Sequence, residues 1–216
     1  MQEGKMTIDC NGEQLILSKE RAIFWPRERM LIISDLHVGK SAHFRKSGVP
    51  VPGSVGTSDL KRLASLIREF EPATLLVTGD MFHNHLNSDV EVFREWRSKY
   101  PELKVVLIKG NHDRLSDSEY EGLDIEIHHK ELLLAPFRFI HDKPTVSDAY
   151  FNISGHIHPG VVLHGRARQR LRFPCFYFSS HCAVLPAFSV FTGLFLIKPE
   201  AGDRFYAITA KDVVAV

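Results

Sequence analysis

Five short polar runs hold the side chains of this 216-residue sequence that could do chemistry. They are Asp35-Leu36-His37, Gly79-Asp80, Gly110-Asn111-His112-Asp113, His141 and Gly155-His156-Ile157-His158. Carboxylate, carboxamide and imidazole are donors suited to borderline-hard divalent cations. A carboxylate has two oxygens and can bridge two ions, whereas a neutral imidazole adds a ligand without cancelling positive charge. Two histidines separated by one residue in an extended segment can both face one site. Taken singly, these patterns are common, and an Asp-x-His after a strand is more often an exposed loop. Their ordered combination holds five of the twelve histidines, and that combination points to a metal centre.

Each run follows an apolar stretch that must position it. Met30–Ile33, Thr74–Val77 and residues 105–108 are continuous apolar runs, the pattern of strands buried on both faces. Phe137–Ile140 and residues 150–153 are less uniform but strand-like. In α/β folds ligands gather at the carboxyl ends of strands, and here five strands end in Asp, Asn or His. Between the first three runs lie helical patterns. Leu60, Leu63, Ala64, Ile67 and Phe70 recur at helical spacing, with Ser58-Asp59 expected as their cap. Val90, Phe93 and Trp96 repeat the pattern. Asn11-Gly12 between two short apolar stretches signals a hairpin. Beyond residue 160, short strands are expected at 161–164, 166–173, 175–179, 194–198 and 204–209, as an antiparallel part of the same α/β sandwich. With no linker or repeat, residues 1–216 are expected to form one domain.

Composition sets few limits. Hydrophobic residues make up 44% and net charge is +1, which suits a globular core and gives no overall basic footprint. Cys10, Cys175 and Cys182 are scattered, which argues against a disulfide framework or a thiolate zinc site. With neither a secretory leader nor an apolar run long enough to span a bilayer, the expected location is cytoplasmic, with no membrane partner.

The ordered motifs resemble those of the calcineurin-like metallophosphoesterases. The resemblance implies a four-layer α/β/β/α sandwich with a dinuclear site at the strand ends. It places Asp35, His37, Asp80 and His158 around one metal and Asp80, Asn111, His141 and His156 around the other, with Asp80 bridging. His112 resembles the family's histidine that faces the leaving group. Asp35-Leu36-His37-Val38-Gly39-Lys40, Gly48-Val49-Pro50-Val51-Pro52, Phe173-Pro174-Cys175-Phe176 and Leu185-Pro186-Ala187-Phe188 are similar to the bacterial ligase-associated DNA damage response endonucleases. That implies a manganese-dependent phosphodiesterase or DNA endonuclease, with DNA as substrate and repair proteins, including a ligase, as partners. Mixed N/O ligation also suits iron or zinc.

The chemistry implied is in-line attack on a phosphodiester by hydroxide held between two cations, with Asp80 and His112 as the catalytic side chains. Lys40, His43, Arg45 and Arg114 could clamp phosphate, Arg being the better bidentate partner. Many family members have Asp or Arg three residues after the Gly-Asp aspartate. Here His83 stands there and becomes an expected phosphate contact, with His85 nearby. Asp113 could orient His112 or be a solvated loop carboxylate. Arg166, Arg168, Arg170 and Arg172 alternate with other residues. On a strand they would share one face, as a soluble surface or as a stripe tracking nucleic-acid phosphates. Two other functions stay open: hydrolysis of small nucleotides or nucleotide conjugates, and a binding scaffold on an inactive fold.

Overall fold

A computed structural model describes residues 3–40, 54–83, 88–142, 144, 149–165 and 169–216. Asn11 and Gly12 both take positive φ, 53° and 79°, the tight turn that joins β1 (Lys5–Cys10) to β2 (Glu13–Ser18). β3 (Ala22–Trp25) and β4 (Met30–Ile33) continue the antiparallel meander. β5 (Thr74–Val77), β6 (Lys104–Ile108) and β7 (Glu126–His128) then add in parallel to β4, giving the order β1-β2-β3-β4-β5-β6-β7.

Residue alternation shows why these runs are apolar throughout. Leu31, Ile33, Leu75, Val77, Val105 and Leu107 enter one cluster, and Met30, Ile32, Leu76, Val106 and Ile108 another. Each strand therefore lies between two cores. The first core is closed by α1 (Ser54–Phe70), α2 (Ser88–Arg97) and α3 (Asp117–Glu121) through Leu63, Leu66, Phe93, Trp96 and Tyr120.

A second sheet closes the other core. It contains β8 (Glu131–Leu134), β9 (Phe137–Ile140), β10 (Phe151–Ser154), β11 (Pro159–His164), β12 (Arg170–Phe178), β13 (Cys182–Val184) and β14 (Phe195–Leu196). Their order is β14-β11-β12-β13-β10-β9-β8, with β15 (Arg204–Ile208) on β12 and β16 (Val213–Ala215) on β15. Phe137, Phe139, Phe176 and Phe178 meet Trp25 of the first sheet in the shared core. The rings of Trp25 and Phe137 pack edge-on, with centroids 4.8 Å apart. The outer face of the second sheet carries a smaller cluster around Val161, Tyr177, Val184 and Phe205.

Two expectations are corrected. α1 begins at Ser54, so Ser58-Asp59 lies inside it and does not cap it. Asp59 is buried and faces the Arg62 guanidinium at 3.2 Å, so its carboxylate goes to an ion pair. Residues 170–178 form one strand through Pro174, not two. Pro174 sits where β12 changes partner, from β11 at residues 170–174 to β13 and β15 beyond, and such a transition tolerates a missing N–H. Arg166 and Arg168 of the arginine series lie outside the described residues, while Arg170 and Arg172 are exposed on β12. Among the described residues, no helix is long and apolar enough to cross a membrane.

Phe139 is fully buried between the sheets. Phe139→Ala should lower unfolding free energy by about 3–5 kcal/mol, read from the urea midpoint. A shift under a third of that would show that the two sheets can close over the void.

Candidate metal centre

The strand exits are laced together before any side chain is considered. Past β4 and β5 the two chains keep pairing, with Asp35 N–H to Gly79 O at 3.0 Å, His37 N–H to Asp80 O at 2.9 Å and His83 N–H to Val38 O at 2.8 Å. From the other sheet, Phe188 N–H reaches Ser34 O at 2.7 Å and Ser189 N–H reaches Asp35 O at 3.2 Å. That strap is held from behind by Arg21, whose Nη1 donates to Ala187 O and Ser189 O, and by Arg62, which donates to Phe188 O and lies over its ring.

Within this frame the backbone turns sharply at the polar residues. Asp35, His37, Asp80, His156 and His158 all have positive φ, between 49° and 69°. Left-handed backbone costs a non-glycine residue roughly 1–2 kcal/mol, and such strain concentrates at functional sites. The neighbouring glycines leave no spare room. A Cβ on Gly79, itself at φ 95°, would lie 1.9 Å from His141 Nδ1; one on Gly110, 2.3 Å from Asp80 Oδ1; and one on Gly155, 1.6 Å from Ser34 Oγ.

The result is two groups of donors. The ligating atoms of Asp35, His37 and His158 lie within 4.8 Å of one another, as do those of Asp80, His141 and His156. Asp35 Oδ1 is 3.2 Å from His158 Nε2 and 4.0 Å from His37 Nε2. His141 Nε2 is 3.5 Å from Asp80 Oδ1, 3.1 Å from Asn111 Oδ1 and 3.1 Å from His156 Nδ1. The groups touch through the His156 N–H, which donates to Asp35 Oδ2 at 3.0 Å. All seven expected ligands are thus brought together.

Bonding at these atoms is incomplete in a way that suits cations. Thr78 O, which can only accept, lies 2.9 Å from His141 Nδ1, so that nitrogen carries a proton. His141 Nε2 faces the oxygens of Asp80 and Asn111. Both ring nitrogens of His37 and Oδ1 of Asp35 are buried without a hydrogen-bond partner among the described residues. Burial, then the Lys40 charge, pushes the His37 imidazole down to about 3, so it is neutral and able to ligate. Burial would raise the Asp35 carboxyl, but His158, Ser34 and His37 outweigh it and hold it below its ordinary value. The donors therefore fit divalent cations. The three cysteines are buried elsewhere, and burial pushes the Cys10 and Cys175 thiols up to about 12, so neither offers a thiolate.

Other expected residues divide. The His112 ring stacks on His83, with centroids 5.0 Å apart, and meets His37 edge-on at 5.5 Å; the His112 backbone N–H donates to Asp80 Oδ1 at 2.9 Å. Lys40 lies near Asp35 and Asp80, and burial lowers its ammonium against their pull. Arg114 is exposed just past His112. His43, Arg45 and His85 lie outside the described residues. Asp113 is neither solvated nor an orienter of His112. It is buried, accepts from Phe82 N–H at 3.0 Å and Gly110 N–H at 2.9 Å, and burial pushes its carboxyl up to about 6. Its role is to pin one strand exit to the next.

The sequence motifs missed several contributors. The Thr78 carbonyl has no side-chain signature. Ser34, whose Oγ donates to Asp35 Oδ2 at 2.5 Å, was adjacent to a motif and readable from it. Asp142 Oδ1, 3.6 Å from His156 Nδ1, follows His141 directly. Arg21 and Arg62 act only through long-range contacts.

Comparison with known proteins agrees with this geometry. The family description that matches residues 28–181 is "Calcineurin-like phosphoesterase". Pseudomonas putida nuclease MPE superposes with a TM-score of 0.84 at 32% identity, covering 97% of this chain and 100% of that one. Yfce, a phosphoesterase from E. coli, gives 0.46 at 14% identity over 87% and 97% of the two chains. No curated protein sequence matches the chain.

Gly79→Ala tests how tightly the centre is built. The added methyl should displace His141, destabilise the fold by a few kcal/mol and remove metal from the second group. Retained metal content by elemental analysis, with an unchanged thermal midpoint, would mean that the site yields more readily than its packing indicates.

Proposed function

The chain belongs to the calcineurin-like phosphoesterase family, and we propose that it is a metal-dependent phosphodiesterase that cleaves DNA as an endonuclease in repair. One observation carries the hydrolytic reading: seven donors from five separate strand exits converge in two touching groups, with the His112 ring beside them. The nucleic-acid substrate is supported by the 32% identity, across nearly the whole chain, to a protein described as a nuclease.

In this reading Asp35, His37, Asp80 and His158 would hold one divalent cation and Asp80, Asn111, His141 and His156 the other. Such a pair supplies the Lewis acidity that ionises water near neutral pH and neutralises phosphoryl oxygens. Manganese is the proposed metal, within a nitrogen and oxygen set that iron or zinc also fits.

The protein's own groups do the rest. Asp80 has one oxygen fixed by the His112 N–H, so the carboxylate orientation and the His112 loop are set together. The Thr78 carbonyl fixes the His141 tautomer, as partners of ligating histidines commonly do. His112 donates a proton or hydrogen bond to the leaving oxygen, and its stacking on His83 holds the ring in place. His83, Lys40 and Arg114 contact the phosphate in this scheme, as does Arg45. Repair partners, a ligase among them, and a cytoplasmic setting belong to the same proposal.

Asp80→Asn should abolish turnover and empty the second group at once, since that group loses its carboxylate. His112→Ala should keep its metals but lose about 10²–10⁴-fold in kcat, least for esters with an acidic leaving group such as nitrophenol. Equal losses across leaving groups would remove His112 as the proton donor. Chelated protein should be inactive on both a bis-nitrophenyl phosphodiester and DNA, with activity returning on addition of Mn2+. Cleavage of the small ester alone, with DNA untouched, would replace the endonuclease reading by a small-phosphoester one.

A further inference from the structure

Arginine bonding in this protein is uneven. Among the described residues, other arginines are tied down by carboxylates, backbone carbonyls, a serine hydroxyl or an aromatic face. Arg114, Arg170 and Arg172 have no such partner among those residues. Arg114 directly follows the loop that carries Asn111 and His112. The other two lie on a strand pair that starts at the metal centre.

β11 begins at Pro159, the residue after His158. It pairs antiparallel with β12, setting Val162 opposite Arg172 and His164 opposite Arg170. Directly opposed residues share a face, as do residues two apart on a strand. Arg172 and Arg170 therefore project on one face together with Val162 and His164. Residues 170–172 are all exposed, Leu171 by 49%, so the cations stand in water and not on a packed surface. At about 3.3 Å per residue, Arg172 lies roughly 13 Å and Arg170 roughly 20 Å along the strand from His158. Their mutual spacing of about 6.6 Å is close to the repeat of phosphates along an extended single strand.

We propose that Arg172 and Arg170 form a phosphate track on β12, which holds one flank of a single nucleic-acid strand two or more nucleotides from the bond being cut. The inference rests on the polynucleotide reading above and adds to it where the strand runs. Chain composition hides this feature, since the net charge is only +1. The cations matter because no carboxylate among the described residues pairs with them.

The test compares the metal-loaded wild type with R170Q/R172Q and R170K/R172K. Single-stranded DNA of about twenty nucleotides and a bis-nitrophenyl phosphodiester serve as substrates. The glutamine variant should bind DNA about tenfold more weakly. The slope of log affinity against log salt should be shallower by about 1.4, two contacts at about 0.7 each. Small-ester turnover should not change, which also shows that the variant is folded. The lysine variant should keep the wild-type slope, and the loss should vanish for a dinucleotide too short to reach β12. DNA cleavage by the glutamine variant with wild-type affinity and slope would overturn the track while leaving the nuclease reading intact. Failure of the wild type itself to bind any polynucleotide would overturn both.

Discussion

Electron-rich groups crowded at the mouth of two sheets repel one another, and the rest of the structure is arranged to hold them despite that. His141 Nε2 faces oxygens of Asp80 and Asn111 at 3.5 and 3.1 Å, and Asp35 and His37 keep buried atoms without hydrogen bonds among the described residues. Five of these residues are also in left-handed backbone. At roughly 1 kcal/mol each, that strain alone approaches the 5–15 kcal/mol net stability of an ordinary domain. Such a cluster persists only where the surroundings over-determine it. A pair of cations turns the same crowding into attraction, which is the physical reason to expect ligand binding and stability to be linked here.

The over-determination comes from two directions. Strands β4, β5 and β6 are apolar on both faces, so they cannot slip by one residue without turning buried side chains to the wrong core. Their exits are then sewn together by backbone bonds from residues 35–38 to residues 79–83, and by the Asp113 carboxylate between the second and third loops. The second sheet adds the strap at residues 187–189, gripped by Arg21 and Arg62. The buried Asp59 beside Arg62 belongs to this brace, which explains a carboxylate in the middle of a helix better than capping does.

How much of this the sequence disclosed depends on the range of the interaction. Continuous apolar runs disclosed β4, β5 and β6 to within a residue, because burial on both faces leaves a local signature, and the less uniform run at 137–140 disclosed β9. The candidate ligands were legible for a related reason: each stands just past a strand-like run. β3, β7, β8 and α3 were not anticipated. The first three are short, and their strand character comes from the partners they pair with: β3 from β2 and β4, β7 from β6, and β8 from β9 across the next turn. The start of α1 and the continuity of β12 through Pro174 were misread because local caps and breakers were weighed without their tertiary partners. Thr78 and the two bracing arginines left no local trace, since a carbonyl has no residue identity and a hydrogen bond to the carbonyl of another loop has no fixed spacing.

The same separation of local from long-range information applies to charge. A net charge of +1 states only that cations and anions nearly balance across the molecule. The structure shows where the balance fails: carboxylates are spent on arginines such as Arg27, Arg62, Arg97 and Arg138, while Arg114, Arg170 and Arg172 are left facing solvent. A guanidinium already held by a carboxylate must lose that partner before it can take a phosphate, whereas a free one exchanges only water and counterions. Arginines without a partner among the described residues therefore say more about a polyanionic ligand than any whole-chain charge. The neutral composition is compatible with a nucleic-acid enzyme because recognition depends on which charges remain unpaired.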